Sequence, residues 1–122
     1  MPGMRGLTII AATADSERFR AALSLACAHV ALGGRARLYC HEGAVRLLLP
    51  GEDPDDAQRI AAGLPTRAQL LHEAVESGVA LIACQTGLAA VGIPFDTLPP
   101  GIAPGGLVSL LAELGEERLV TL

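Results

Sequence analysis

Aromatic side chains are almost missing from this chain of 122 residues, which contains only Phe19, Tyr39 and Phe95 and has no tryptophan. Proteins that bind single-stranded nucleic acid stack its bases on aromatic rings, and this sequence supplies no such platform. Basic side chains are also few, and a formal net charge of −4 disfavours a partner bound through its phosphate backbone. We therefore expect no nucleic-acid partner and a core built from Ala, Leu, Ile and Val.

Long apolar runs are missing as well. The longest, residues 78–94, is interrupted at 85–87 and falls short of the roughly 20 continuous apolar residues that cross a bilayer. The N-terminal residues 1–19 carry one Arg before their apolar run and reach Asp15 too early for a secretory signal peptide. These patterns predict a cytoplasmic protein with no membrane partner. An apolar content of 51% indicates that some hydrophobic surface is covered by further copies of the chain.

The cysteines do not form a disulfide framework, because Cys27, Cys40 and Cys84 are odd in number and contain no CxxC pair. The sequence also has no HExxH motif, Ser-His-Asp order or Gly-rich phosphate loop. Cys27 lies on the apolar stripe of a predicted helix and is interpreted as an inert core residue. Which of the other thiols is reactive depends on its position in the fold.

Strand and helix patterns alternate along the whole chain. Apolar runs predict strands at 7–12, 35–40, 79–83 and 118–122. Helical spacing and capping residues predict helices at 16–32, 44–49, 66–77, 86–91 and 107–114. Residues 50–65 are predicted to be a small capped helix or a mobile excursion, and residues 93–104 a loop. The alternation predicts one α/β domain, 1–122, a three-layer sandwich with a mostly parallel sheet of four or five strands in the flavodoxin-like order 2-1-3-4.

The predicted strand order determines where a site is expected. In open α/β sheets, ligands bind beyond the carboxyl ends of the strands, where the strand order reverses. With the order 2-1-3-4, this point lies between the first and third strands, which end at Thr13 to Asp15 and at Cys84. Cys40 and His41 end the second strand and open onto the same rim. These side chains are the candidate site residues.

Cys84 is predicted to lie at a strand end and directly before a helix-like segment. Such a position lowers the pKa of a thiol and favours the nucleophilic thiolate, and it would stabilise a persulfide anion in the same way. Gln85, Thr86 and Gly87 follow in the predicted turn, and backbone amides of the turn are the natural donors. The alternative interpretation is that Cys84 is a small apolar residue at a strand end.

The same residues carry a family resemblance. The run ACQTGLAAVGI at 83–93, followed by GGLVSLLAEL at 105–114 and a closing RLVTL, resembles the DsrE/DsrF-like family, in particular its small stand-alone members of the "predicted peroxiredoxin" type. The opening LTIIAATADSERFRAALSLACAHVALGG and the later LYCHEGAVRLL extend the resemblance along nearly the whole chain. It implies a sulfur-relay fold in which Cys84 carries sulfane sulfur as a persulfide, and a homo-oligomer, a trimer or a hexamer.

Other roles for the rim residues stay open. His41 either assists Cys84 as a base or hydrogen-bond donor, or is a solvated loop residue. Cys40 could resolve a persulfide on Cys84, although strands 2 and 3 on either side of strand 1 would lie about 10 Å apart. A metal site built from Cys40, His41 and Cys84 lacks paired ligand spacing. Flavin at Thr13 to Ser16 would lack a phosphate cradle, so neither a metal nor a cofactor is expected.

Two functions of different class follow. The first is a sulfur carrier or sulfurtransferase-like protein that uses Cys84 and exchanges sulfur with a donor or acceptor protein. The second is a non-catalytic oligomeric binding or regulatory module of the same fold. The segment that follows Cys84 has no obvious basic side chain to receive an anionic sulfur compound.

Overall fold

The sheet has five strands, and all of them are parallel. In a computed structural model, which describes residues 4–122, the strands are β1 Leu7–Ala11, β2 Ala36–Cys40, β3 Ala80–Cys84, β4 Ile102–Gly105 and β5 Arg118–Thr121. Their order in the sheet is β4-β3-β2-β1-β5. The predicted single α/β domain with a parallel sheet and helices on both sides is confirmed. The first three residues of the predicted domain 1–122 lie outside the described residues.

The helices begin and end at residues that the sequence marks. They are α1 Ser16–Ala31, α2 Asp56–Ala61, α3 Arg67–Ser77, α4 Gln85–Val91 and α5 Leu107–Ala112. The Asp15 side chain caps α1, Thr66 and Gln69 form the predicted capping box of α3, and Gly78 ends α3 in the left-handed conformation at φ +95°. The longest helix has 16 residues, and none in the described part of the chain is both long and apolar enough to span a membrane.

The predicted strand order 2-1-3-4 is wrong. β2 lies between β1 and β3, because Leu38 is in register with Ile9 on one side and with Leu81 on the other. Right-handed crossovers allow either order, so the alternation of strands and helices could not decide between them. α1 and α3 pack extensively against each other, so they lie on the same side of the sheet. This is expected when β1, β2 and β3 are adjacent in that order. The order now reverses between β1 and β5, so Cys84 does not lie at the switch point.

The predicted loop at 93–104 is also wrong, because it contains a 3₁₀ helix, Phe95–Thr97, and most of β4. β4 pairs with β3 at the edge of the sheet. An edge strand tolerates Pro104, whose nitrogen has no hydrogen to donate to a neighbour. A four-residue strand that contains Pro and Gly has no apolar pattern by which the sequence could reveal it. A second 3₁₀ helix, Glu42–Leu48, replaces the helix predicted at 44–49.

The segment 50–65 contains one short helix, α2. The turn before this helix is held to the rest of the domain by hydrogen bonds and ion pairs. Asp53 accepts a hydrogen bond of 2.6 Å from the Ser16 hydroxyl and pairs with Arg20 at 3.5 Å and Arg67 at 3.2 Å. Both arginines are buried. One carboxylate therefore holds the start of this segment against α1 and α3.

Candidate functional site

The candidate site is centred on Cys84, which is both the last residue of β3 and the N-cap of α4. Its Sγ accepts a hydrogen bond of 3.2 Å from the Gly87 backbone N–H, and the Thr86 hydroxyl lies 3.2 Å from the same sulfur. The residue is only 2% exposed. The buried sulfur at the end of β3 therefore lies against the first turn of α4.

Gly87 allows a second segment to approach this sulfur. A Cβ atom at position 87 would lie 2.5 Å from the Glu42 carbonyl oxygen and 2.8 Å from the Glu42 Cα, distances at which no side chain fits. Glu42 itself has φ +46°, in the left-handed region that non-glycine residues rarely adopt. The close approach and the turn together bring the Glu42 backbone near Cys84, where it helps to lower the pKa of the thiol.

Burial alone would raise the pKa of Cys84, but hydrogen bonds to the sulfur outweigh it and lower the pKa to about 7. They come from the Thr86 and Tyr39 hydroxyls and from the backbone N–H groups of Glu42 and Gly87. We call these four residues the sulfur cradle. Donors of this kind stabilise the charged form of a group more than its neutral form. A large fraction of Cys84 is therefore thiolate near neutral pH.

The other two thiols lack such an environment. Cys40 is 0% exposed, and burial raises its pKa to about 12. Burial also raises the pKa of Cys27, an effect to which the nearby Glu73 adds and which a hydrogen bond with Ser77 opposes. Cys84 is the only one of the three cysteines whose pKa is lowered.

Cys40 and Cys84 lie on neighbouring strands, β2 and β3. The predicted order, which placed a whole strand between them, is wrong on this point. Cys40 is in register with Ala83, the residue before Cys84. Because successive side chains of a strand alternate between faces, the two thiols point to opposite faces of the sheet. They can neither form a disulfide without backbone movement nor converge with His41 on one metal ion.

His41 is brought beside the sulfur cradle. Its ring lies 6.3 Å from the Tyr39 ring, centroid to centroid, and its Nε2 lies 3.4 Å from the Glu42 carboxylate. Its Nδ1 is buried without a hydrogen-bond partner in the described residues. Gln85 is exposed at the start of α4.

The residues at the end of β1 are not brought to the cysteine. Thr13 and Asp15 follow β1, and β2 lies between that strand and β3. Two strand spacings separate strands by about 10 Å. Asp15 instead accepts a hydrogen bond of 2.9 Å from the Arg18 backbone N–H as the cap of α1.

Three residues of the site were missed from the sequence: Tyr39, Glu42 and Arg46. Tyr39 is in register with Ile82 and so shares a face with Cys84, which a correct strand order would have revealed. Arg46 lies in the 3₁₀ helix Glu42–Leu48, which is distant in sequence from Cys84 but lies beside it in the fold. A shallow depression of about 500 Å³ beside the cradle is lined by Glu42, Gly43, Arg46, Thr86, Ala90 and Val91.

A cluster of carboxylates elsewhere has ligand atoms within 4.8 Å of one another, at Asp53, Asp55 and Asp56. Asp53 is already bonded to Ser16 and to two arginines. The Asp56 carboxylate accepts a hydrogen bond of 3.0 Å from the Asp53 backbone N–H. These contacts explain the cluster as part of the anchor of segment 50–65.

No family model matches the chain, and no curated protein matches it. Solved structures do match. The crystal structure of the ychN protein from E. coli is 26% identical, with a TM-score of 0.78, over 98% of this chain and 100% of that one. A protein of unknown function from Methanobacterium thermoautotrophicum, MTH1491, is 16% identical, with a TM-score of 0.69 and the same coverage. Both have the DsrE/F-like fold, and their similarity supports that fold family for this chain.

Proposed function

We propose that the protein is a sulfur carrier of the sulfurtransferase-like type that holds sulfane sulfur as a persulfide on Cys84. The observation that carries this proposal is the sulfur cradle, in which the Gly87 N–H and the Thr86 hydroxyl lie 3.2 Å from the Cys84 sulfur. Together with Tyr39 and the Glu42 backbone, they lower the pKa of Cys84 to about 7 despite its burial. A thiolate is the form that attacks a sulfane sulfur. The cradle thus supports loading of sulfur at neutral pH.

The chemistry is a transfer between two sulfur atoms without net oxidation. The Cys84 thiolate attacks the outer sulfur of a donor persulfide, R–S–SH. A new Sγ–S bond forms, the S–S bond of the donor breaks, and the donor leaves as the thiolate R–S⁻. Hydrogen-bond donors that hold the Cys84 thiolate are also suited to the negative charge of the resulting persulfide anion.

Access to the sulfur requires a local movement, because Cys84 is 2% exposed. Thr86 is exposed, lines the depression and contacts the sulfur through its hydroxyl. Rotation of an exposed side chain is fast, on the order of picoseconds to nanoseconds. We propose that rotation of Thr86 opens Cys84 to the depression, where a donor or acceptor protein or small molecule delivers or removes the sulfur.

Mass spectrometry after incubation with a sulfane-sulfur donor tests this function. We expect a mass gain of one sulfur atom that is lost in Cys84→Ser and kept in Cys27→Ser. Treatment with a thiol reductant should remove the added sulfur. Absence of an adduct on Cys84, under conditions that load an established sulfur-relay protein, would refute the proposal.

A second candidate is a non-catalytic binding or regulatory module of the same fold, and the burial of Cys84 favours it. In that case Cys84 would only cap α4, and no movement would be needed to expose its sulfur. The mass-spectrometric experiment separates the two candidates. An unmodified Cys84 in a correctly folded protein supports the module.

Either function is compatible with self-association, which we propose uses the side of the sheet near α5. Val108 is 84% exposed, and Leu111 and Leu119 are also exposed. Exposed apolar side chains of this kind are typical of surfaces between subunits. Analytical ultracentrifugation should find a trimer or a hexamer, and Val108→Asp should weaken it. A monomer at high concentration would contradict this part of the proposal.

A further inference from the structure

We propose that the depression beside Cys84 binds a small zwitterionic aminothiol persulfide, such as the persulfide of free cysteine, as the sulfur donor. This inference rests on the proposed function, because it names the donor for the same site. It depends on two side chains of opposite charge, Arg46 and Glu42, that line the depression.

The charges of Arg46 and Glu42 are not neutralised by one another. Within the described residues, Arg46 forms no salt bridge, and Glu42 pairs only with the Nε2 of His41 at 3.4 Å. Both charged side chains are exposed, so each has room to meet a ligand. A depression with separate positive and negative walls is complementary to a ligand that carries both charges.

The chemistry of an amino acid fits this arrangement. Arginine binds a carboxylate with two parallel hydrogen bonds, and the Glu42 carboxylate accepts hydrogen bonds from an ammonium group. A donor that is only anionic, such as an inorganic polysulfide, meets Arg46 but is repelled by Glu42. A volume of about 500 Å³ lies in the range of small-molecule sites and holds an amino acid.

Thr86 connects the bound ligand to the reacting sulfur. It lines the depression, and its hydroxyl lies 3.2 Å from the Sγ of Cys84. A ligand held by its amino-acid end against Arg46 and Glu42 places its persulfide toward Thr86. The Cys84 thiolate then attacks the outer sulfur, the donor S–S bond breaks, and the thiolate of free cysteine leaves.

The first experiment compares the rate of Cys84 persulfidation by cysteine persulfide with the rate by inorganic polysulfide. The ratio of the two rates is measured in the native chain, in Arg46→Gln and in Glu42→Gln. We expect the ratio to fall about three- to tenfold in Glu42→Gln, because this variant loses the contact to the ammonium group and no longer repels polysulfide. Arg46→Gln should slow persulfidation by both donors, because both are anionic at the end that meets Arg46. Arg18→Gln and Glu52→Gln, at exposed positions away from the depression, are the matched controls and should keep the native ratio. An unchanged ratio in Glu42→Gln, or an unchanged rate with cysteine persulfide in Arg46→Gln, overturns the inference while leaving persulfide formation intact.

The second experiment does not depend on sulfur transfer. Binding of S-methylcysteine, which has the amino-acid end but no transferable sulfur, is followed by shifts of the backbone amide resonances of Gly43 and Thr86. β-(Methylthio)propanoate, which lacks the ammonium group, should bind the native chain several-fold more weakly than S-methylcysteine does, and Glu42→Gln should reduce this difference, because it removes both the contact to the ammonium group and the repulsion of the carboxylate. Binding of S-methylcysteine without persulfide formation would refute the proposed function but keep the site. Absence of any shift, or shifts that Arg46→Gln leaves unchanged, refutes the site.

Discussion

Gly87 and Glu42 are packed so closely that a Cβ atom on the glycine would lie 2.5 Å from the glutamate carbonyl oxygen. This contact joins the first turn of α4 to the turn after β2. It brings the Glu42 backbone near Cys84, whose sulfur accepts a hydrogen bond from the Gly87 N–H, and both groups lower the pKa of the thiol. The reactivity of the thiol therefore depends on a glycine that makes no chemical contribution of its own beyond its N–H group.

Gly87→Ala should raise the pKa of Cys84. The added methyl group pushes the Glu42 turn away and removes one hydrogen bond to the thiolate, which is worth about 1 pH unit. The displacement should also lower the free energy of unfolding by about 1–3 kcal/mol. The pKa is measured from the pH dependence of Cys84 alkylation, and the stability from urea unfolding.

Gly106→Ala is the control for that substitution, because nothing lies within 4 Å of a Cβ atom at position 106. This variant should leave the pKa of Cys84 at its native value. If Gly87→Ala behaves like Gly106→Ala, the close approach of Glu42 does not control the thiol.

Thr86→Val and Tyr39→Phe each remove a hydroxyl from the sulfur cradle while nearly preserving side-chain shape. Each should raise the pKa of Cys84 by about 1 pH unit, since a hydrogen bond to a charged group is lost. Absorbance of the thiolate in the ultraviolet, recorded during a pH titration, measures the change. Thr97→Val, at an exposed 3₁₀ helix, is the matched control. A pKa unaffected by both cradle variants would assign the lowered value to the backbone donors alone.

The general fold could be predicted from the sequence, but the neighbourhood of Cys84 could not. The sequence signals are local. The continuous apolar run of β3 predicts a strand, and the capping residue Thr66 predicts the start of a helix, but neither predicts which elements are neighbours in the fold. Strand order is a long-range property, and both orders considered satisfy the same crossover rule. The order 2-1-3-4 places Tyr39 on a strand remote from β3 and separates Cys40 from Cys84 by a whole strand, whereas β2 and β3 are neighbours in the structure.

Glu42 and Arg46 were missed for a different reason. They belong to a 3₁₀ helix whose placement depends on the contact with Gly87, and no periodic pattern in the sequence encodes that contact. The sequence does indicate Gly87 as a site residue, because it lies in the predicted turn after the cysteine. The sequence does not show that position 87 must be glycine. That requirement follows from the contact with the Glu42 backbone in the folded chain.

The stability of the protein should increase as the pH rises from about 7 to about 9. The pKa of Cys84 is lowered in the folded chain to about 7, below the ordinary value of 9.0, so the unfolded chain binds more protons in this interval. Stabilisation by the thiolate is thus fully present above the unfolded pKa and is lost as the pH falls through the folded pKa. Cys84→Ala should remove this rise, as measured by urea unfolding at a series of pH values. The same pH dependence in both proteins would show that the pKa of the folded thiol is not lowered.

Asp53→Asn should destabilise the domain by about 2–4 kcal/mol, because it leaves the buried Arg20 and Arg67 without their shared carboxylate. Asp55→Asn is the control. Asp55 also contacts Arg20, but its side chain is 44% exposed, so the expected loss is less than about 1 kcal/mol. Urea unfolding of both variants checks the difference. Equal losses would indicate that Asp53 does not anchor the segment 50–65 as its contacts suggest.

The sulfur cradle makes Cys84 a thiolate near neutral pH despite its burial. The most direct measurement is the rate of Cys84 alkylation as a function of pH, with Cys27 replaced by Ser and Cys40 by Ala so that one thiol remains. We expect a sigmoidal profile with a midpoint near pH 7. A midpoint at or above the ordinary thiol value of 9.0 would contradict it.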